Sequence, residues 1–425
     1  MLYSPVRRFR ALFAIVVVVG CCIPAGALAQ GIYIPSAGPV SRSMGGATTA
    51  VPLEGIGALY WNPAVISGLP SSELGFGADL LSAVMQLSSS SGPSAGATQG
   101  TPGWTLIPNI GWIHRGADSK LAFGLGIHSV AGFKTNYPSS FTNPILTPQP
   151  NGVGRLYSEA QFAQISPAVS YQLTDRLAVA VGPMVTLGAV VADPLLFIAP
   201  NPNGYPTGRG TQLRFGGGAQ GGLFYQGDGD WDFGASIKSP QWLPKFQYTT
   251  EDAAGGPRYG EVGVDLPMIL SVGAAYRGFE NVIWSLDYRY FDFRHAEGLG
   301  DGGFTSDGAL KGLGWRSVNG LTTGVQYRIN EALAVRGGYG INQSPIEPAT
   351  AGLNIASPLV QTQAMHIGWS LALSRAAALN VAYSYFPQND VSGPMQTFLK
   401  GVLPGSSVTN TLSIHVLSMG VTVKY

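Results

Sequence analysis

Leu412-Ser413-Ile414-His415-Val416-Leu417-Ser418-Met419-Gly420-Val421-Thr422-Val423-Lys424-Tyr425 is the stretch that decides the fold of this 425-residue chain. From Leu417 onward, Leu417, Met419, Val421, Val423 and Tyr425 share one parity, while Ser418, Gly420, Thr422 and Lys424 take the other. A strand sends successive side chains to opposite faces, so this period of two describes a strand with one apolar and one polar side. The same rhythm recurs upstream. Val262, Val264, Leu266, Met268, Leu270, Val272, Ala274 and Tyr276 share a parity opposite Gly263, Asp265, Ser271, Gly273 and Arg277. Val282, Trp284, Leu286, Tyr288 and Tyr290 alternate with Ser285, Asp287 and Arg289, and Met365, Ile367, Trp369, Leu371 and Leu373 with His366, Gly368 and Ser370.

About fourteen such segments are expected, near 71–81, 104–115, 119–132, 159–173, 176–191, 211–227, 231–249, 262–277, 281–294, 315–329, 332–343, 362–373, 376–386 and 412–425. Six connections between them are short and turn-like: 116–119, 174–175, 228–230, 278–280, 330–331 and 374–375. Seven are long, among them 82–103, 132–158 and 387–411. Strands of this length, joined by turns that alternate short and long, build an antiparallel barrel that crosses an outer membrane, with the short turns on the periplasmic side. The expected fold is therefore all-β: a transmembrane barrel of about 14 strands, standing among outer-membrane lipids and lipopolysaccharide.

Composition agrees with a membrane chain. It is 45% apolar and only 11% charged, yet the one helix-length apolar run is Ala11 to Ala29. Lipid-exposed backbone must bond within the protein, so a membrane chain without spanning helices must close into a barrel. Arg7, Arg8 and Arg10 precede a short apolar core, and Ala27-Leu28-Ala29 follows it, the pattern of a cleavable secretory signal over residues 1–29. Val18-Val19-Gly20-Cys21 offers a second, lipoprotein-like cleavage point. Cleavage after Ala29 removes three of the 24 basic residues, leaving 21 against 23 acidic ones. No strongly basic footprint for nucleic acid remains. Both cysteines, Cys21 and Cys22, lie in that leader, so no disulfide framework is expected in the mature chain.

Residues 30–70 are not strand-like. They are rich in Gly, Ala, Ser and Pro, with Arg42 and Glu54 as their only charges. A fourteen-stranded barrel leaves a lumen that an N-terminal hatch over 30–70 would fill, with the barrel over 71–425. Glycine tolerates positive φ in such a compact segment, Pro63 restricts Asn62 to extended conformations, and an Asn bridges the backbone of a turn. A simple turn ahead of the first strand is the competing reading of Asn62-Pro63.

The segment contains Arg42-Ser43-Met44-Gly45-Gly46-Ala47 and then Tyr60-Trp61-Asn62-Pro63-Ala64. Here the chain resembles the long-chain fatty acid transporter (FadL-like) family of outer-membrane proteins, and the likeness extends over nearly the whole mature chain. Leu121–Gly126, Gly132-Phe133, Tyr137 and Ile165–Tyr171 share in it. Val65 and Glu54 depart from the family's frequent Gly and Asp. The resemblance implies that Gly45, Gly46, Ala47, Asn62, Pro63 and Ala64 form the hatch motif. It implies a passive cargo of fatty acids or aromatic hydrocarbons, and an opening in the third strand, where Gly124, Gly126 and Gly132 are candidate kink residues. Leu195, Leu196, Phe197 and Ile198 form an apolar run in the third long loop, a candidate for capturing hydrophobic ligand, with packing as a lid the alternative. The aromatic terminus Tyr425 resembles the signal read by the barrel insertion machinery.

Other functions fit less well. A general diffusion porin is the nearer alternative. An outer-membrane lipase or deacylase would need a Ser–His pair oriented by a third group, and any such triad would have to be assembled from isolated residues. His114, His128, His295, His366 and His415 are dispersed without metal-ligand spacing, so neither a metal nor any other cofactor is expected.

Overall fold

The computed structural model describes residues 31–116, 118–208, 210–252, 254–397 and 401–425. The expected leader and its two cleavage points lie outside them. Fourteen antiparallel strands form the wall: β1 Glu73–Ser91, β2 Trp104–Arg115, β3 Leu121–Tyr137, β4 Leu156–Gln172, β5 Leu177–Asp193, β6 Gln212–Gln226 and β7 Trp231–Lys238. They continue with β8 Ile269–Phe279, β9 Val282–Phe291, β10 Val318–Arg328, β11 Leu333–Asn342, β12 Gln363–Ala372, β13 Ala377–Gly393 and β14 Ser406–Lys424. Each pairs with its neighbours in sequence, and β1 closes the ring by pairing with both β2 and β14, Glu73 lying opposite Ile113 and Lys424.

The alternation places side chains as the pleat requires. On β14, Leu417, Met419, Val421 and Val423 are exposed outward, while Ser418 and Thr422 are buried in the lumen. A belt of aromatic residues surrounds the short-turn rim. Trp112 Nε1 donates to Tyr425 Oη at 2.6 Å, and Trp231 packs tilted against Tyr276 and edge-on to Trp284. Such amphipathic rings favour the membrane–water boundary.

The long-loop end differs from the expected boundaries. β1 and β14 run far above the membrane-facing band, and Ser94–Gly100 folds back on β1 as a ribbon, where a loop over 82–103 was expected. β7 stops at Lys238 instead of reaching 249. Ser239-Pro240 interrupts it, after which Trp242 bridges to Gly217 and Phe246–Glu251 forms a hairpin with Pro257–Val262. β8 starts at Ile269, so Val262 and Leu266 are buried in the loop layer instead of sharing its outer face. Pro240 and Pro267 lack the N–H that a continuous ladder needs.

The hatch lies inside this wall. α1 Pro39–Ser43, α2 Gly55–Trp61 and a 3-10 turn Pro63–Gly68 are buried nearly throughout. α1 packs on β11–β14, α2 on β1–β3, and the 3-10 turn on β4–β6, so the segment contacts almost the full circumference. Glycines on the lumen face admit this close approach. Cβ atoms at Gly222, Gly234 and Gly338 would overlap Asn62 Oδ1, the Thr49 carbonyl and Gly45 N, respectively.

Gly222→Leu should therefore dislodge the hatch and leave the wall intact. The expected outcome is greater leakage of small polar solutes in liposomes, with heat-modifiable gel mobility retained. Unchanged leakage would show that the hatch does not seal against β6.

Candidate functional site: the hatch, two cavities and a gap in the wall

The hatch is held by buried polar groups of the wall. Arg42 pairs with Asp79 of β1, which also accepts from Ser418 Oγ and Asn109 Nδ2. On β9, Asp287 accepts the Thr49 N–H at 2.9 Å, and Arg289 donates to the Gly46 carbonyl at 2.5 Å. The Arg289 guanidinium lies 3.7 Å from the Trp61 ring centroid, a cation–π contact across the same interface. Ser285 Oγ donates to the Ala47 carbonyl at 2.7 Å. Asn62, fully buried, donates at 2.8 Å to the carbonyls of both Thr49 and Leu223, while its Oδ1 accepts from Ala64 N. Pro63 opens the 3-10 turn that this contact caps. Gly45 and Gly46 take positive φ, and Ala47 and Ala64 are wholly buried. Of the expected hatch-motif residues, Gly45 lines the first of the two cavities described below, and Ala47, Asn62 and Ala64 are embedded in the interface between hatch and wall.

Above the hatch the lumen face changes character. Low on β1 it carries Glu73 and Asp79; higher up it carries Leu81, Ala83, Met85 and Leu87. β14 changes likewise, from Thr422 and Ser418 to Val416, Ile414 and Leu412. Two cavities occupy this apolar zone. The first lies against Gly31–Pro35 of the hatch and the inner faces of β10–β14. The second shares Ile34, Leu81, Ile107, Gly132, Leu359 and Ile414 with it.

The second cavity meets a break in the wall. β2 and β3 pair only from Asn109–His128 down to Arg115–Ala122. Above that point β2 continues through Pro108 to Trp104 bonded to β1 alone. On β3 the register with β4 slips between Ser129 and Ala131, leaving Val130 as an extra residue. The chains meet again where Thr101 N donates to the Asn136 carbonyl at 2.8 Å. Between these closures lies a gap, flanked on the membrane side by Trp104 and Leu106, 66% and 67% exposed. The hatch bonds the free edge of β3 from inside: Ile34 N donates to the Val130 carbonyl at 2.9 Å, and Gly132 N to the Ile32 carbonyl at 3.0 Å. Tyr60 Oη donates to the Ile34 carbonyl at 2.6 Å.

Two expectations are corrected by this geometry. Gly124 and Gly126 lie in the regularly paired half of β3; Gly124 makes room for Leu59 of the hatch, and Gly126 for the His128 ring. The irregularity is at Val130, with Gly132 two residues beyond it. Leu195, Leu196 and Ile198 are buried, not presented to solvent, and Phe197 is partly buried against the same core. They pack in the loop layer, where Leu310 N donates to the Leu196 carbonyl at 2.8 Å.

Val130, Pro108 and Ile32–Ile34 were not singled out by the sequence reading. A signal exists for Val130: Leu121, Phe123, Leu125 and Ile127 point outward on odd positions, whereas beyond Val130 the odd residues Ala131, Thr135 and Tyr137 are buried. His128 and His366 face the lumen, and His415 lies beside Tyr385. Ser384 Oγ is 2.7 Å from His366 Nδ1, but His366 Nε2 has no partner among the described residues, so no carboxylate orients this pair for acyl transfer. No cluster of metal-ligating side chains occurs among the described residues.

A plugged fourteen-stranded barrel with an apolar chamber and a gap in its wall defines a class of outer-membrane channel. The chain belongs to the outer membrane protein transport protein family (OMPP1/FadL/TodX), whose model matches residues 20–425. This is a family of transporters, located in the outer membrane of Gram-negative bacteria. The fold is similar to that of the Pseudomonas putida toluene transporter TodX, with a TM-score of 0.70 at 16% identity over 92% of this chain and 99% of that one. The Ralstonia pickettii toluene transporter TbuX gives 0.68 at 19% identity, covering 92% and 99%. A Pseudomonas aeruginosa FadL homologue gives 0.68 at 13% identity, covering 93% and 100%. No curated protein matches the sequence.

Glu54 provides a test of hatch docking. Its Oε1 accepts the Ser41 N–H at 2.9 Å, and burial raises its carboxyl to about 8, against the lowering effect of that hydrogen bond. The folded state therefore keeps a proton that the unfolded chain releases in the ordinary carboxylate range. The resulting stability is complete below that range and is lost as pH rises towards about 8. Glu54→Gln keeps the acceptor without the charge. Its thermal unfolding midpoint should exceed that of the wild type at high pH and equal it at low pH; an equal shift at both would refute the assignment.

Proposed function

We propose that this channel takes up small hydrophobic molecules passively and delivers them sideways, through the gap between β2 and β3, into the outer membrane. The observation that carries the proposal is the second cavity. Its lining combines lumen residues such as Leu81, Met85 and Ile414 with the two gap edges, Pro102–Ile107 and Ser129–Thr135. A molecule seated there faces hydrocarbon on one side and the apolar lumen on the other, so leaving requires no exposure of its surface to water.

The cargo class follows from the lining and from the neighbours. The chamber is apolar where the hatch and upper wall meet, and two similar folds belong to toluene transporters. Fatty acids and aromatic hydrocarbons are the two candidate cargoes. Leu195–Ile198 act in this reading as part of the lid that keeps water from the chamber, and Gly132 as a donor that fixes the hatch to the gap edge. A diffusion porin needs a continuous aqueous path, whereas here the lumen is filled by Ala47, Leu59, Trp61 and Ile66 of the hatch, all at or below 1% exposure.

Deleting Val130 restores an unbroken register between β3 and β4 and narrows the gap. Uptake of a radiolabelled hydrophobic probe by a strain lacking its own channel should fall to the level of the empty vector, with the barrel still heat-modifiable. Full uptake by a correctly folded deletion variant would eliminate the lateral route.

A further inference from the structure

The arm of the hatch that meets the gap is tied to the wall at a second point, which the proposed route does not touch. β7 stops at Lys238, and Pro240, which has no N–H, breaks the ladder there. The chain is fixed again at once. Gln241 and Leu266 exchange backbone hydrogen bonds at 3.0 and 3.1 Å, and Trp242 and Gly217 do so at 3.1 Å in both directions. Trp242 is turned to the membrane, 58% exposed, so the pleat turns Gln241 into the lumen, where it is wholly buried. There its side chain is a junction. Gln241 Oε1 accepts from Gln164 Nε2 of β4 at 2.7 Å and from Thr186 Oγ1 of β5, and its Nε2 donates to Tyr33 Oη at 2.8 Å.

Tyr33 is the middle residue of that arm. Its neighbours Ile32 and Ile34 bond the free edge of β3, and Tyr33 itself stands opposite Ala131. In an extended segment the side chain points away from the plane of the backbone bonds, so Tyr33 reaches from the gap edge to an anchor elsewhere in the lumen. Its ring lies 5.8 Å from that of Phe291, and Gln241 is the one hydrogen-bond partner of its hydroxyl among the described residues. We infer that Gln241 is a positioning residue of the uptake route: by holding Tyr33 it keeps Ile32–Ile34 on the edge of β3 and sets how readily cargo displaces that arm on its way into the gap. Gln241 lines neither cavity, so it acts only through Tyr33. It also stands at the root of the outer hairpin of Phe246–Glu251 and Pro257–Val262, which fastens the arm to the loop layer as well as to β3. This rests on the lateral uptake reading and adds to it the residue that restrains the exit.

The test is hydrogen exchange, read by mass spectrometry on the mature protein in nanodiscs, for the wild type, Tyr33→Phe, Gln241→Leu and the double variant. Uptake of a radiolabelled hydrophobic probe by cells carrying each protein is measured beside it. Exchange at the Ile34 and Gly132 amides should rise about fivefold in each single variant, the scale of one neutral hydrogen bond, and no further in the double variant. The amides of α2 should keep the wild-type rate, and initial uptake should rise with the exchange. Gln241→Glu keeps an acceptor for Gln164 and Thr186 and offers one to the Tyr33 hydroxyl, so it should return both readouts to wild type. Tyr33→Phe removes one oxygen and keeps the ring beside Phe291, so it carries the test if Gln241→Leu does not fold. Unchanged exchange in Tyr33→Phe overturns the inference. So does an equal rise over the whole hatch, or an additive rise in the double variant, because the two residues then only add stability. Faster exchange with unchanged uptake overturns it too, since the arm then does not restrain the exit. Wild-type uptake no greater than that of cells with the empty vector overturns the uptake reading instead.

Discussion

Every backbone N–H and C=O in the wall of a membrane barrel must be bonded within the protein, and the rest of this structure depends on that constraint. At the junction of β2 and β3 pairing ends at Asn109–His128, and the free edge of β3 is bonded from inside by Ile32 and Ile34. The other strand junctions are paired over most of their shared length, with local interruptions such as the slip at Val130 and the lapse where Pro167 faces Pro183. The hatch thus supplies hydrogen bonds that a neighbouring strand would otherwise provide. Pro108, which has no N–H to leave unbonded, stands on the opposite edge where pairing stops. An opening in the wall and a segment inside it are two parts of one solution.

The same constraint explains why so much of the lumen face is glycine. The hatch has little regular structure, so its peptide groups must find partners on the wall. Gly46, Ala47 and Thr49 bond to side chains of β9, while Thr49 also takes a hydrogen bond from Asn62. Close approach of two backbones leaves no room for Cβ atoms at Gly222, Gly234 and Gly338. The interface that results is dense in charge-assisted bonds, which are roughly twice as strong as neutral ones.

The barrel was legible in the sequence because one face meets hydrocarbon and the other does not, and period two records that difference residue by residue. The six short turns lie where alternation stops. The upper strand ends were less legible. There both parities are polar, as in Ser88–Ser91, or the apolar parity switches, as between Leu412–Val416 and Leu417–Val423, so the pattern does not say where pairing ends. That switch, which turns Leu412, Ile414 and Val416 to the lumen, marks the chamber wall. The hatch motif was found by resemblance, yet what Asn62 does depends on Leu223, far away in sequence. The apolar run Leu195–Ile198 left two readings open for a physical reason: apolar residues in an outer loop are as readily a lid's core as an exposed groove.

The energetics of the hatch favour the proposed route through the wall. Displacing the hatch would separate Arg42 from Asp79 and Thr49 from Asp287, among groups at or below 1% exposure. Leaving one partner of a buried charge pair unmatched costs roughly 3–5 kcal/mol. It would also strip Asn62 of both carbonyls it bridges. A molecule moving from the second cavity into the membrane breaks none of these contacts. At most it disturbs the two backbone bonds between Ile32–Ile34 and Val130–Gly132, each worth about 1 kcal/mol. The hatch is fastened most heavily at the level of Asp79 and Asp287 and most lightly beside the gap. On the proposed route a cargo follows the weaker side and leaves the contacts between hatch and wall at Asp79 and Asp287 intact.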